Sequence, residues 1–301
     1  MANQMKTVAQ PASPEAAASL AGEVLSPVPP AELARLRALA TQVRRDILMM
    51  LHRAGSGHTG GSLSVADILV ALFCSKMRHR PQEPTWPERD RFILSKGHAA
   101  PAYYAVLARS GYFPLDQLMT LRQLGSCLQG HPDCTLTPGI DVSTGSLGQG
   151  LSVAGGLALG LRLDARPSRV YVVLGDGEMQ EGQVWEAVMS AAHYKIDNLC
   201  AVVDRNELQI DGWVRDVMNV EPLDAKFAAF GWHTISVDGH DFGQLLPALD
   251  AAERVKGRPT VILARTVKGK GVSIFEGKAK YHGVAPNDEE LAQALRELGE
   301  A

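Results

Sequence analysis

Charge of one sign, paired cysteines and an uninterrupted apolar run are all missing from this 301-residue sequence. Its 30 lysines and arginines are offset by 33 aspartates and glutamates, for a formal net charge of -3. No basic tract stands out to neutralise a phosphate backbone, so nucleic acid is not expected as a partner. The four cysteines, Cys74, Cys127, Cys134 and Cys200, include no Cys-x-x-Cys pair. The common zinc and redox spacings are therefore absent, and free thiols in a reducing cytoplasm are expected. Residues 1–30 are rich in Ala, Pro and Ser and have no continuous apolar core. They read as a mobile extension rather than a signal peptide. Residues 142–161 carry no charge, a stretch long enough to cross a bilayer. Glycines 145, 148, 150, 155, 156 and 160 crowd it, together with Ser143, Thr144, Ser146, Gln149 and Ser152. A glycine loop leading into a buried helix is the better reading, and no membrane association is expected.

What is present is ordinary globular material, 46% hydrophobic and 21% charged, arranged as alternating elements. Leu33, Leu36, Val43, Ile47, Met50 and Leu51 recur at helical spacing, and a glycine-rich loop follows at residues 54–62. Helices are expected at about residues 65–73, 102–110, 182–194, 242–255 and 288–298, with Gly111 as a C-cap. A further small-residue helix should open after the loop at residues 144–150. Apolar, β-branched runs at residues 91–94, 169–174, 199–203, 233–237 and 260–265 read as strands. Strand alternating with helix predicts a three-layer α/β/α fold with a mostly parallel central sheet and right-handed crossovers. No internal repeat and no linker divides residues 31–301, which read as one domain.

The strand at residues 169–174 ends in Gly175-Asp176-Gly177-Glu178, and the next in Asp204-Arg205-Asn206. Either turn alone is a good tight turn. Asp176 and Asn206, however, lie thirty positions apart, one strand-helix-strand crossover, so a carboxylate and an amide oxygen fall on neighbouring strand ends. Loops after parallel strands share one edge of the sheet, so Lys268 in Thr266-Val267-Lys268-Gly269-Lys270-Gly271 should converge on them. Such a set suits Mg²⁺ or Ca²⁺, completed by phosphate oxygens and water. His58, His98, His131 and His282 each adjoin a glycine, which packing alone explains poorly. Imidazoles gathered there would exchange protons or donate hydrogen bonds, and their spacing is not that of zinc ligands. His52, His79, His193, His233 and His240 read as solvated.

Residues 175–206 resemble the thiamine diphosphate fingerprint, in which a divalent metal holds the diphosphate. Further motifs, in the same order, resemble the amino-terminal half of transketolase over residues 33–286. They are Ser56-Gly57-His58, Ser95-Lys96-Gly97-His98, Gly130-His131-Pro132, the loop at residues 144–150, Lys268-Gly269-Lys270-Gly271 and Tyr281-His282-Gly283. The resemblance implies the thiamine diphosphate-binding fold, with Asp176, Asn206 and the Leu208 carbonyl on Mg²⁺ (Ca²⁺ or Mn²⁺ as substitutes). Gly177, His98, Lys268 and His282 would contact the diphosphate or its surroundings. Gly145, Ser146 and Leu147 would meet the cofactor's aminopyrimidine, Gly145 and Leu147 through main-chain groups. His58, His131 and His282 would line the substrate channel. Glu181 would join the carboxylate network between paired active sites. A cofactor-contacting serine of the family falls at Gly61 here, with Ser62 as its substitute.

A whole transketolase also needs a pyrimidine-binding domain, whose glutamate protonates the cofactor ring, and a carboxy-terminal domain. The resemblance stops short of both. It implies the amino-terminal subunit of a split transketolase, completed by a carboxy-terminal subunit in an α2β2 assembly. The activity implied is transfer of a two-carbon ketol unit from a ketose or its phosphate to an aldose or its phosphate. The rival is a 1-deoxyxylulose-5-phosphate synthase-like enzyme, to which Gly130-His131-Pro132 and residues 144–150 are the poorer match. A non-catalytic thiamine diphosphate-binding assembly subunit is the other class, against which the intact metal set and all four histidines count.

Overall fold

The computed structural model describes residues 27–299. Most of the expected N-terminal extension lies outside the described residues, and Pro30 already opens helix α1 (Pro30–Ala54). The sequence begins this helix with proline in its first turn and ends it on Gly55, whose φ of 64° is left-handed. Helix α2 (Thr59–Ala71) runs into a π-helical turn, Leu72–Lys76. Thr59–Lys76 is the one described helix long and apolar enough to span a bilayer, and 83% of it is buried in this fold.

Five strands, β1 (Arg91–Leu94), β2 (Val170–Gly175), β3 (Leu199–Arg205), β6 (His233–Asp238) and β7 (Thr260–Arg265), form the sheet. Their order is β1-β2-β3-β7-β6, and every pairing is parallel. A short antiparallel hairpin, β4 (Leu208–Gln209) and β5 (Gly212–Trp213), follows β3. Because side chains alternate along a strand, Tyr171, Val173, Cys200, Val202, Ile262 and Ala264 join one apolar core. Val170, Val172, Leu174, Leu199, Ala201, Val203, Val261 and Leu263 join the other. The first core is capped by α1, α2, α3 (Ala100–Arg109), α8 (Phe242–Arg254) and α9 (Asp288–Glu297). The second is capped by α4 (Gly150–Leu163), α5 (Gly182–His193) and, beyond the short α6 (Val214–Val217), α7 (Leu223–Ala229). Burial on both faces is why these strands read as unbroken apolar runs rather than alternating ones. The expected three layers and parallel sheet are therefore what the chain adopts.

Two local expectations are corrected, and two elements were not anticipated. Helix α2 begins at Thr59, inside the stretch expected to be a glycine-rich loop. Glycine disfavours helix, but a Cβ at Gly60 would lie 2.9 Å from Lys268 Cγ and one at Gly61 3.3 Å from His98 Nε2. Packing of the site against this first turn overrides propensity. The helix expected to be buried after residue 150 is only half so: Gly150, Leu151, Ala154, Ala158 and Leu161 face the core, while Val153 and Leu163 are exposed. The hairpin β4–β5 and helix α7 carry too little periodicity to be read in advance.

Gly150 separates propensity from packing. Alanine there should improve an isolated helix by up to about 1 kcal/mol. In the fold its Cβ would stand 2.3 Å from Ser95 Oγ and 2.8 Å from Ser95 Cα. Gly150→Ala is therefore expected to destabilise by about 1–3 kcal/mol, read as a lowered midpoint of thermal unfolding.

Candidate active site

The loops after β1, β2, β3 and β7 leave the same edge of the sheet, because all four strands run parallel. Asp176 sits at the end of β2, 3% exposed. Its Oδ1 accepts from the Gly177 amide at 2.7 Å and its Oδ2 from the Glu207 amide at 2.5 Å. Glu207 takes a left-handed φ of 64°, which turns the chain after Asn206. Asn206 Oδ1 accepts from the Leu208 amide at 3.2 Å, and the Leu208 carbonyl accepts from Lys268 Nζ at 2.9 Å. Burial pushes the Asp176 carboxyl up to about 6, against its two amide donors and with help from the charge on Asp204. No ion pair neutralises it among the described residues. A buried carboxylate beside an amide oxygen and a carbonyl oxygen is a hard donor set short of a cation, and a divalent ion fits it.

Beneath this set lies a pair to which the residues alone assigned no role. Lys96, 2% exposed, ends the β1 turn and forms an ion pair with Asp204, fully buried on β3. To do so it crosses the end of β2, where a Cβ on Gly175 would be 3.8 Å from Lys96 Cδ. Lys96 also donates to the Gly61 carbonyl at 3.0 Å. Asp204 further accepts from Ser64 at 2.6 Å, from Thr266 and from Asn206 Nδ2 at 3.3 Å. Burial opposes its charge, but Lys96 and these donors outweigh it and hold the carboxyl below its ordinary range. Glu178, in sequence no more than part of a turn, has a structural task. It accepts from Ser95 at 2.5 Å, Gly148 N at 2.9 Å and Gly175 N at 3.0 Å, tying the residue 144–150 loop to two strand ends. A lysine between serine and glycine in a histidine motif was the one visible hint of this support.

The four glycine-flanked histidines meet. Ring centroids lie 5.0 Å apart for His58 and His98, 5.5 Å for His58 and His282, 5.1 Å for His98 and His282, and 6.5 Å for His58 and His131. Burial, reinforced by nearby cations, lowers all four: His58 to about 4, His282 to about 3, and His98 and His131 below their ordinary value. They are neutral at physiological pH, each with one donor and one acceptor nitrogen. Lys268 Nζ donates to His282 Nδ1 at 2.7 Å, so Nε2 carries that ring's proton. Burial and the Lys96 charge lower Lys268 to about 8. His58 Nδ1 is buried and has no hydrogen-bond partner among the described residues.

A cleft of about 200 Å³ joins the metal set to two of the histidines; His98, Leu147, Asp176, Gly177, Glu181, Asn206, Leu208, Lys268 and His282 line it, whereas His58 and His131 are not among its lining residues. Gly145 lies against His131, where a Cβ would be 3.3 Å from the ring. With Ser146 it lines a separate depression beside the cleft. Glu181 is exposed on the rim and packs against Gly148. Ser62 does not replace the missing serine: it is fully buried and donates to the His58 carbonyl at 2.6 Å. Gly61 itself leaves the room that His98 and Lys96 occupy. Nor are all the other histidines solvated. His240 accepts from the Val267 amide at 2.9 Å and therefore donates to buried Asp67 at 2.6 Å, and His79 bonds the Phe73 carbonyl at 2.6 Å.

A family profile described as "Transketolase, thiamine diphosphate binding domain" matches residues 36–301. The "6-deoxy-6-sulfo-D-fructose transketolase subunit SqwG" of Clostridium sp. (strain MSTE9) is 46% identical over 259 residues, covering 86% of this chain and 94% of that protein. An apulose-4-phosphate transketolase subunit of Phocaeicola vulgatus is 39% identical over 257 residues, covering 85% and 91%. The solved transketolase from Leishmania mexicana superposes with a TM-score of 0.84 at 34% identity, covering 88% of this chain and 41% of that one.

Two outcomes follow from this geometry. Lys96→Met strands Asp204 as an unpaired buried charge and is expected to cost about 3–5 kcal/mol in urea unfolding, with Asp204→Asn on the same chain recovering part of it. For His58, the ordinary value of 6.5 falls to about 4 on folding. Between those values the unfolded chain binds a proton that the folded chain does not. Its contribution is thus intact above pH 6.5 and lost as pH falls toward 4. His58→Gln should flatten the acid-side loss by no more than about 1 kcal/mol per pH unit, allowing for the ring's partial exposure. Urea-unfolding free energies compared at about pH 5 and about pH 7.5 check it.

Proposed function

Since the chain belongs to the transketolase family, as its amino-terminal, thiamine diphosphate-binding subunit, we propose that it holds the diphosphate and metal end of a ketol-transfer site. The observation that carries this reading is Asp176: a buried carboxylate with no ion pair among the described residues, flanked by Asn206 Oδ1 and the Leu208 carbonyl at the edge where Lys268 and four neutral histidines meet. Those three oxygens would hold Mg²⁺, with Ca²⁺ or Mn²⁺ as substitutes. Two of the Lys268 protons go to Leu208 and His282, leaving its third for a diphosphate oxygen. His98 and His282 would border the diphosphate. Thiamine diphosphate, when bound, supplies an electron sink for the two-carbon fragment.

The chain's own residues then act on the sugar. Neutral His58, with its unpartnered Nδ1, and His131 would hydrogen-bond substrate hydroxyls, and His282 would donate from Nε2. A ring that is neutral at physiological pH accepts a proton from a hydroxyl and returns it, whereas an imidazolium only donates. The class of substrate is a ketose or its phosphate as donor and an aldose or its phosphate as acceptor. The synthase-like alternative is not favoured, because the similar proteins are named as transketolases and transketolase subunits.

A partner subunit carrying the pyrimidine-binding and carboxy-terminal domains would complete each site in an α2β2 assembly. Support comes from relatives that are called subunits and are themselves covered over 94% and 91% of their length. Glu181, exposed on the rim, would face the neighbouring site in that assembly.

Mixing the purified chain with its partner, thiamine diphosphate and Mg²⁺ should give ketol transfer, and the chain alone none. Substantial transfer by the chain alone would overturn the split-site reading. Asp176→Asn should weaken Mg²⁺-dependent cofactor binding, followed by calorimetry, by about two to three orders of magnitude, the scale of breaking a buried charge pair.

A further inference from the structure

A cavity of about 400 Å³ lies where β2 and β3 begin, lined by Ser168 and Arg169 before one strand and Asp197 and Asn198 before the other. The strands are parallel, so this is the sheet edge opposite Asp176, and the six residues of β2, ~20 Å of strand, stand between. Sites for small molecules run to roughly 300–1,000 Å³, a range that includes it. Two of its lining cations are already paired, Arg78 with Asp90 at 3.0 Å and Arg166 with Asp164 at 3.7 Å. Three others, Arg162, Arg169 and Lys256, have no ion pair among the described residues. Of the two lining acids, Glu253 is held by Lys76 at 2.9 Å, which leaves Asp197 alone to face them.

Helix capping accounts for part of this charge. Arg162 Nη1 donates to the Tyr194 and Lys195 carbonyls after α5 at 3.1 and 3.0 Å, Arg169 Nη2 to Ala252 on α8 at 3.0 Å, and Lys256 Nζ to Glu253 at 2.9 Å. Each bond uses a fraction of the donors, since a guanidinium carries five N–H groups and an ammonium three. Capping also leaves the polar atoms below it unexplained. Among the described residues, five buried side-chain polar atoms have no hydrogen-bond partner, and three belong to residues lining this cavity: Ser168 Oγ, Arg169 Nε and Asn198 Oδ1. Ser168 is 1% exposed. Asn198 Nδ2 is fixed on the Ala158 carbonyl at 2.9 Å, which sets the amide and leaves Oδ1 as an acceptor. Buried polar groups are nearly always bonded, so three exceptions in one place point to a group that the chain does not itself supply.

We propose that this cavity is a second ligand site, which binds a phosphorylated polyhydroxy compound with its phosphate on Arg162, Arg169 and Ser168 and a hydroxyl on Asn198. Arg169 Nε can only donate and Asn198 Oδ1 only accept, so the group that satisfies both presents an anionic oxygen and an O–H within one molecule. Arginine forks match phosphate oxygens, and a serine hydroxyl adds a further donor. The chain has a net charge of -3 and no basic tract, so cations confined to one cavity suit a small ester rather than a nucleic acid. The site stands whether or not the ketol-transfer reading holds.

The test is calorimetry on the full chain with glucitol 6-phosphate, which has no carbonyl and so takes no part in ketol transfer, and with glucitol and inorganic phosphate as controls. Glucitol 6-phosphate should bind saturably and about tenfold or more tighter than inorganic phosphate, with no binding of glucitol. Excess thiamine diphosphate and Mg²⁺ should leave that binding unchanged, because the cleft at Asp176 is on the other edge. Arg169→Gln should weaken it about tenfold or more and Ser168→Ala about fivefold. The Ser168 hydroxyl has no bond among the described residues to lose, so its variant reports on the ligand even if Arg169→Gln, which uncaps α8, fails to fold. The proposal is overturned by a lack of saturable binding, by affinity no better than that of inorganic phosphate, by displacement with thiamine diphosphate, or by binding that Ser168→Ala leaves intact.

Discussion

The buried Lys96–Asp204 pair is the interaction on which the site depends. Lys96 comes from the turn after β1, Asp204 from β3, and the end of β2 lies between them. From this pair hydrogen bonds run to Gly61 and Ser64 on α2, to Thr266 after β7 and to Asn206 after β3. The first turns of α2 and the segments after β1, β3 and β7 are thus joined through a single ion pair. Such a pair adds little net stability when intact and costs heavily when broken. What it gives is position, and it gives it to groups that must be placed to a fraction of an ångström.

Electrostatic consequences follow from where that cation is spent. Lys96 is committed to Asp204, so Asp176 stands nearby as a carboxylate with two amide donors but no ion pair among the described residues, pushed up to about 6 by burial and by the Asp204 charge. The site's demand for a further cation comes from this imbalance. Around it, Lys96, Lys268 and Arg122 join burial in keeping the histidines neutral. A ring of neutral imidazoles can accept as well as donate, as proton exchange with a sugar requires. Lys268, which would contact the cofactor's diphosphate, therefore also helps set the protonation of the histidines beside it.

The fold and much of the site were legible in the residues. Apolar runs ending in Gly-Asp-Gly and Asp-Arg-Asn at one crossover's distance require neighbouring parallel strands, and parallel strands require their loops on one edge. The convergence of Asp176, Asn206 and Lys268, and of four glycine-flanked histidines, follows from that local grammar. The hairpin after β3, the early start of α2 and the bonding of His240 did not follow. Each depends on contacts between segments far apart in sequence, which overrule local propensity.

By itself, then, the sequence determined the chemistry available and the edge at which it gathers, because strand periodicity and turn residues act over a few positions. Only the tertiary structure decided which charges are spent and which remain free. That Lys96 belongs to Asp204, that Glu178 holds a loop and that Ser62 turns into its own helix are facts of strand order and packing. Gly175-Asp176-Gly177 announces a ligand site, but Asp176 goes without an ion pair among the described residues because Lys96, from the turn after β1, reaches across β2 to Asp204 on β3.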